Sequence, residues 1–143
     1  VFTAADGSFA MKYPAGWART DADAKVTFRD GFSSMELARR EGFYQPTEDY
    51  ARAVEVPDLA AKTAGFVLGG VKTVQPPSGP VVLITYQVDS PGDADTGTPI
   101  TQNVERYEFA HDSREVVVTL SAPVGSDDAD PWPIIVDSFT WLR

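Results

Sequence analysis

Apolar and polar residues alternate over residues 9–13. Phe9, Met11 and Tyr13 share one side, and Ser8, Ala10 and Lys12 take the other, which is the period of a half-buried strand. Pro14 removes a ladder donor and Gly16 frees the backbone, so the strand ends in a turn that carries Trp17. Val26 and Phe28 pair in the same way within 25–30, and Met35 and Leu37 in the next run, with Glu36 opposite. Asp30-Gly31 lies between these two runs and predicts a hairpin. Further strands are predicted at 71–74, 81–88, 103–109 and 114–122. The turn Pro76-Pro77-Ser78-Gly79-Pro80 precedes the second, and a Pro-, Gly- and Asp-rich loop over 89–99 follows it. The 81–88 run is apolar on both sides, which predicts a central strand covered on both faces. The short polar link Ala110-His111-Asp112-Ser113 predicts a tight antiparallel hairpin.

The period changes to helical in two places. Thr47 can cap a helix whose first turn carries Glu48 and Asp49, and the pattern runs to Ala64 with Gly65 as the stop. Pro57 predicts a break near Val56 or two short helices in tandem, with Tyr50 and Val54 and then Leu59 and Ala60 facing the sheet. Near the C-terminus, Asp130 is the predicted cap and Pro131 the first helical residue. Trp132, Ile135, Val136 and Phe139 then form one apolar stripe. These elements add up to an α+β chain: an α/β/α sandwich around a mostly antiparallel sheet of about six or seven strands, with helices on both faces. No linker or repeat divides it, so residues 1–143 are expected to form a single domain.

Charge narrows the partners. Twenty-one acidic residues against 12 basic ones give a formal net charge of −9, which repels phosphate backbones and anionic membrane surfaces. Nucleic acid is therefore not an expected partner; a basic protein, a cation or a neutral ligand remains. The chain has no cysteine, which rules out disulfides, thiolate metal sites and cysteine nucleophiles. The longest apolar run, 81–86, has strand length, and the start at Val1 raises the expectation of a removed signal or anchor.

The order of these motifs resembles the PsbP-like superfamily. That group includes a photosystem II subunit, a Ran-binding nuclear import factor and small DcrB-like and LpqN-like bacterial lipoproteins. Phe9 to Met11 followed by Tyr13-Pro14-Ala15-Gly16-Trp17 resembles the opening strand and turn of the group. Val26-Thr27-Phe28-Arg29-Asp30 resembles its second strand, and Gly79-Pro80-Val81-Val82-Leu83-Ile84-Thr85-Tyr86 its central one. Arg106-Tyr107-Glu108-Phe109 and Val116-Val117-Val118-Thr119-Leu120 resemble the penultimate pair. Ile134-Ile135-Val136-Asp137-Ser138-Phe139 resembles the closing helix. The resemblance implies the sandwich and a role in binding or assembly; it carries over no site residue and no cofactor. The photosystem subunit works through basic surface lysines, so an acidic chain does not fit that role.

Candidate chemistry is sparse. His111 is the only histidine and would have to serve any serine–histidine–acid triad. It sits in a predicted hairpin tip beside Asp112 and Ser113, where a solvated turn residue is the ordinary outcome. Asp93-Ala94-Asp95-Thr96-Gly97, with Asp89 nearby, resembles the start of a calcium loop. It lacks the third oxygen ligand and the closing glutamate. Asp127, Asp128 and Asp130 suit a helix start. Gly69-Gly70-Val71-Lys72-Thr73 has the wrong spacing for a phosphate loop. Glu105 and Glu108 fall on opposite faces of one strand and cannot serve one substrate as a glycosidase pair. Of the three tryptophans, Trp17, Trp132 and Trp141, Trp132 belongs to the apolar stripe, and Trp17 reads as a packing residue with a groove-lining role as the alternative.

The expectation is a non-catalytic, extracytoplasmic binding or assembly module, the soluble domain of a bacterial lipoprotein with a protein partner. Membrane contact would come only through a lipid anchor outside this chain. The alternatives are a small hydrolase or lipid-handling enzyme, which requires a deep pocket with convergent polar groups, and an intracellular chaperone or adaptor, which requires an exposed apolar groove.

Overall fold

The computed structural model describes residues 1–22, 25–41, 46–90 and 97–142. The chain opens with β1 (Phe2–Thr3), β2 (Phe9–Met11), β3 (Ala18–Ala22), β4 (Lys25–Asp30) and β5 (Ser33–Glu41). A helical segment follows: α1 (Glu48–Tyr50), a π-helical stretch (Ala51–Glu55) and α2 (Val56–Lys62). Then come β6 (Val67–Val74), β7 (Val81–Ser90), β8 (Ile100–His111), β9 (Arg114–Pro123), a 3₁₀ turn (Asp127–Ala129), α3 (Trp132–Asp137) and β10 (Thr140–Trp141). Seven strands form one sheet in the order β3-β4-β5-β9-β8-β7-β6, antiparallel at every step. The other three form a small sheet, β1-β2-β10. The predicted class and strand number hold. One outer layer combines the small sheet with α3, and the other is the mid-chain helical segment.

Register assigns each side chain to a face. Phe28 pairs with Met35, Met35 with Leu120, and Tyr107 with Val118. These residues, with Leu37, Val116, Phe109, Val81 and Leu83, are buried against Phe9, Met11, Trp132, Ile135, Val136 and Phe139. Aromatic rings stack through this layer. Phe139 lies 3.9 Å from Phe109 and 5.1 Å from Phe9, each at 12°. Tyr13 stacks on Phe28 at 4.2 Å, and Trp17 is half-buried against the same core, so the opening turn is a packing feature. The opposite face holds Val71, Val82, Ile84, Tyr86 and Val104 under Ala51 of the helical segment.

Turn chemistry closes the hairpins. Asp112 and Ser113 both have positive φ, 49° and 63°, which makes the β8–β9 link a two-residue type I′ turn. β7 is covered on both faces, as its apolar content requires: Val81 and Leu83 belong to one core, Val82 and Ile84 to the other. It is not central, however. It lies next to the edge strand β6, because the helical segment and α3 both cover that side of the sheet.

Two expectations about the helices need correction, and a third holds in its second form: two short helices stand in tandem, the second starting at Val56, with a π-helical stretch and no break between them. The chain stays helical through Pro57, and the irregularity falls before it, where the Val56 N–H donates to the Ala51 carbonyl over five residues. That wider turn leaves room for a ring that would clash with a regular helix. Tyr50 and Val54 do not face the sheet; both are exposed. The wider turns shift the helical phase, so Ala51 and Glu55 face inward instead. Leu59 is half-buried and Ala60 exposed. Thr47 caps as expected, accepting from the Tyr50 N–H at 3.1 Å. Asp130 is not the cap of α3. It closes the preceding 3₁₀ turn, and Pro131 takes the N-cap position.

Candidate functional site

The helix-covered face carries a group of charges that the sequence reading did not assemble. Alternation placed Glu108 away from Glu105, correctly, because Glu105 pairs with Leu120 and Glu108 with Val117 on opposite faces of the sheet. Register then puts Glu108 on β8, Glu115 on β9 and Arg40 on β5 on one face, since Glu115 is opposite both Ala110 and Arg40. Arg106 lies one pleat further along β8, and Glu55 comes down from the helical segment. The legible signal was a charge inside each of two apolar runs, Arg106 and Glu108 in one and Glu115 at the start of the other. Only strand pairing shows that they meet.

Burial controls their chemistry. The side chains of Glu108 and Glu115 have no exposed surface, and Glu55 is buried. Arg40 is ion-paired to Glu115 and stands 3.7 Å from Glu108. Arg106 stands 3.6 Å from Glu108 and 3.4 Å from Glu55. The Glu108 carboxyl is pushed up to about 9: desolvation is the main cause, the hydrogen bond and charge of Glu55 act in the same direction, and the Arg106 guanidinium opposes them. Burial raises Glu115 to about 7 against the pull of Arg40. Among the described residues, neither Glu108 oxygen has a hydrogen-bond partner, so as a carboxylate it would be badly unsatisfied. A proton on Glu108 resolves this. The carboxyl can then donate to Glu55, and two carboxylates remain against two guanidiniums.

Carboxyls with such affinities suit acid–base work only where a substrate can reach them. Glu108 and Glu115 are closed off by the helical segment and the sheet. A cleft of about 520 Å³ opens beside them, lined by Arg40, Tyr50, Val54, Glu55 and Arg106 among others, but not by Glu108 or Glu115. Among the described residues, no group of three His, Cys, Asp or Glu side chains is arranged to hold a metal ion.

A second, open surface lies on the other face, beside the edge strand. A groove of about 610 Å³ runs between β6 and the start of α3. Val67, opposite Gln87 and 60% exposed, forms its lip; Leu68 is opposite Tyr86 and points to the helix-covered face. Thr85, Gln87, Asn103 and Glu105 form its floor, with Ala129, Trp132 and Pro133 as the far wall. The Gln87 amide donates to Asn103 at 2.9 Å, and the Tyr107 hydroxyl donates to Glu105 at 2.6 Å. Gly69 is required here, because a Cβ would stand 2.8 Å from the Thr85 hydroxyl and 3.0 Å from its carbonyl oxygen.

The residues singled out in the sequence do not converge. His111 is an exposed hairpin residue, 3.2 Å from Asp112 of its own turn. Asp89 accepts from the Thr101 hydroxyl at 3.2 Å; Asp93 and Asp95 lie outside the described residues. Asp127 and Asp128 start the 3₁₀ turn, and Asp128 accepts from Ser33 at 2.5 Å. Gly69-Gly70-Val71-Lys72-Thr73 is part of the edge strand. Trp132 is buried, and Trp141 packs edge-on against Phe9 and Phe139.

Comparison with known proteins identifies the fold. No protein-family model and no curated protein matches the chain. Solved structures do. Cyanobacterial PsbP (CyanoP) from Synechocystis sp. PCC 6803 matches with a TM-score of 0.65 at 15% identity, over 98% of this chain and 90% of that one. A Pseudomonas aeruginosa protein of unknown function, described as a putative regulator, matches at 0.61 and 14% identity, over 92% and 96%. The Saccharomyces cerevisiae Ran-binding protein Mog1p matches at 0.60 and 13% identity, over 99% and 94%. The chain has the PsbP-like fold.

Proposed function

We propose that this chain is a non-catalytic binding or assembly module, folded as one domain over residues 1–143, and that it serves as the extracytoplasmic part of a bacterial lipoprotein with a protein partner. The observation that carries this reading is a contrast in access. The two carboxyls with raised affinities are sealed between helix and sheet, whereas the open groove presents the exposed aliphatic side chain of Val67 at a sheet edge. An exposed aliphatic beside a polar floor forms a surface for a partner rather than for a reaction. The fold agrees, since Mog1p, which shares it, is a Ran-binding protein. The acidic balance sets nucleic acid aside.

A photo-crosslinking residue at Val67, introduced into the full-length protein in its native cell, tests the reading. The expected result is a discrete adduct in the envelope fraction that is absent when the crosslinker sits at Thr20 on the opposite edge. Recovery of the protein in the cytoplasmic fraction would overturn the location. Turnover of generic ester or amide substrates that Glu108→Gln abolishes would overturn the non-catalytic assignment.

A further inference from the structure

We infer that the groove between β6 and α3 takes an extended protein segment bearing a lysine or arginine, with the basic side chain entering toward Glu105 and an apolar neighbour resting on Val67. The inference rests on the binding-module reading and supplies the chemistry of the partner. Charge is the first argument. The groove lining contains a single charged side chain, Glu105, and no lysine or arginine. Asp127 and Asp130, both exposed, flank Ala129 at the far wall, and the chain as a whole carries −9. An acidic segment or a second copy of this chain would meet like charge; a basic segment is drawn in.

Shape is the second argument. Lysine and arginine have an aliphatic stem and a charged head, which matches an aliphatic lip above a carboxylate. Glu105 already accepts one hydrogen bond from Tyr107, and a carboxylate has capacity for more. The Gly69 position keeps this part of the strand bare, because the close approach to Thr85 leaves no space for a Cβ. Backbone geometry is the third argument. β6 is the end strand of the sheet, so among the described residues its outer side has no strand neighbour. Further along, the Arg52 guanidinium donates to the Val71 carbonyl at 2.9 Å and occupies the edge there. The open edge is therefore the stretch from Val67 to Gly70, beside the groove. An extended segment of a few residues fits it, with main-chain pairing giving affinity and the groove giving specificity.

The test uses the ¹⁵N-labelled full chain and two blocked peptides, Gly-Leu-Lys-Leu-Lys-Gly and its counterpart with glutamate in place of lysine. The lysine peptide is expected to shift the amides of 67–70, 85–87 and 103–105 in a saturable way, and the glutamate peptide to leave them unmoved. Glu105→Gln is expected to weaken the lysine peptide about fivefold or more, and about 0.5 M salt to do the same. Val67→Ser is the second variant, because it removes the lip without touching the Glu105–Tyr107 hydrogen bond; a comparable weakening is expected. Equal binding of both peptides, shifts centred elsewhere, or no shift at millimolar peptide would overturn the inference. If the Val67 crosslink in the envelope persists while the peptides fail, the basic-segment assignment falls and the binding-module reading stands. Loss of both removes both.

Discussion

The two faces of the large sheet solve the burial problem in opposite ways. One is dry and aromatic: Phe9, Phe109 and Phe139 stack, and Met35, Leu37, Val118 and Leu120 fill the spaces between strands. The other mixes a small aliphatic core with Glu55, Glu108, Glu115, Arg40 and Arg106. The first face depends on shape and is insensitive to pH. The second depends on one proton, because three buried carboxyls face two guanidiniums. The lesson is that the sheet is held together by its aromatic side, whereas its helix-covered side can respond to conditions.

The largest test of this contrast is Phe109→Ala. It removes a ring stacked at 3.9 Å on Phe139 and is expected to cost about 3–5 kcal/mol in urea unfolding, equally at pH 5 and pH 8. Arg106→Met attacks the other face. It leaves Glu55 and Glu108 without that guanidinium, and a loss of about 2–3 kcal/mol is expected at pH 8, where Glu108 is still protonated, with a larger loss at pH 10, where it is ionised. An equal loss at both pH values would break the contrast.

Next comes the pH dependence itself. Glu108 moves from an ordinary 4.5 in the unfolded chain to about 9 in the fold, and Glu115 from 4.5 to about 7. Below 4.5 both states are protonated and the difference vanishes. Between 4.5 and 9 the folded state holds more protons, so stability falls as pH rises, by on the order of a few kcal/mol, and levels off above about 9. Denaturant midpoints measured from pH 5 to pH 9 should decline, and Glu108→Gln should remove most of the decline above pH 7. A flat wild-type profile would show that the carboxyl is ionised at neutral pH. The smallest expected effect is Val54→Ser, on the outward side of the helical segment, which should change stability by less than about 0.5 kcal/mol. A larger loss would mean that this side of the helix is packed.

Much of the dry face was legible in the sequence. Period-two alternation marked β2, β4 and β5, the short polar hairpin link marked β8 and β9, and the Trp132, Ile135, Val136, Phe139 stripe marked α3. These elements are long or strongly periodic. The two-residue strands β1 and β10 have no period to read, and β3 is polar and exposed throughout, so its strand character comes from pairing with β4. The charged face was misread in part. Tyr50 and Val54 suit a regular helix facing the sheet, but the π-helical stretch before Pro57 changes the phase and turns Glu55 inward. The groove was equally hidden, since Val67 is an ordinary strand residue until the sheet order places it at an edge.

By itself the sequence determined the α+β class, the antiparallel hairpins, the apolar stripe of α3, and a formal net charge of −9. Each follows from local period, local turn chemistry or summed charge. Tertiary structure decided which strand lies at the edge, which side of the helical segment is buried, and that Glu108, Glu115, Glu55, Arg40 and Arg106 share one layer. These depend on strand order and register, which bring together residues far apart in the chain. The proton affinity of Glu108 belongs to this second class, because it arises from burial and from neighbours on other elements.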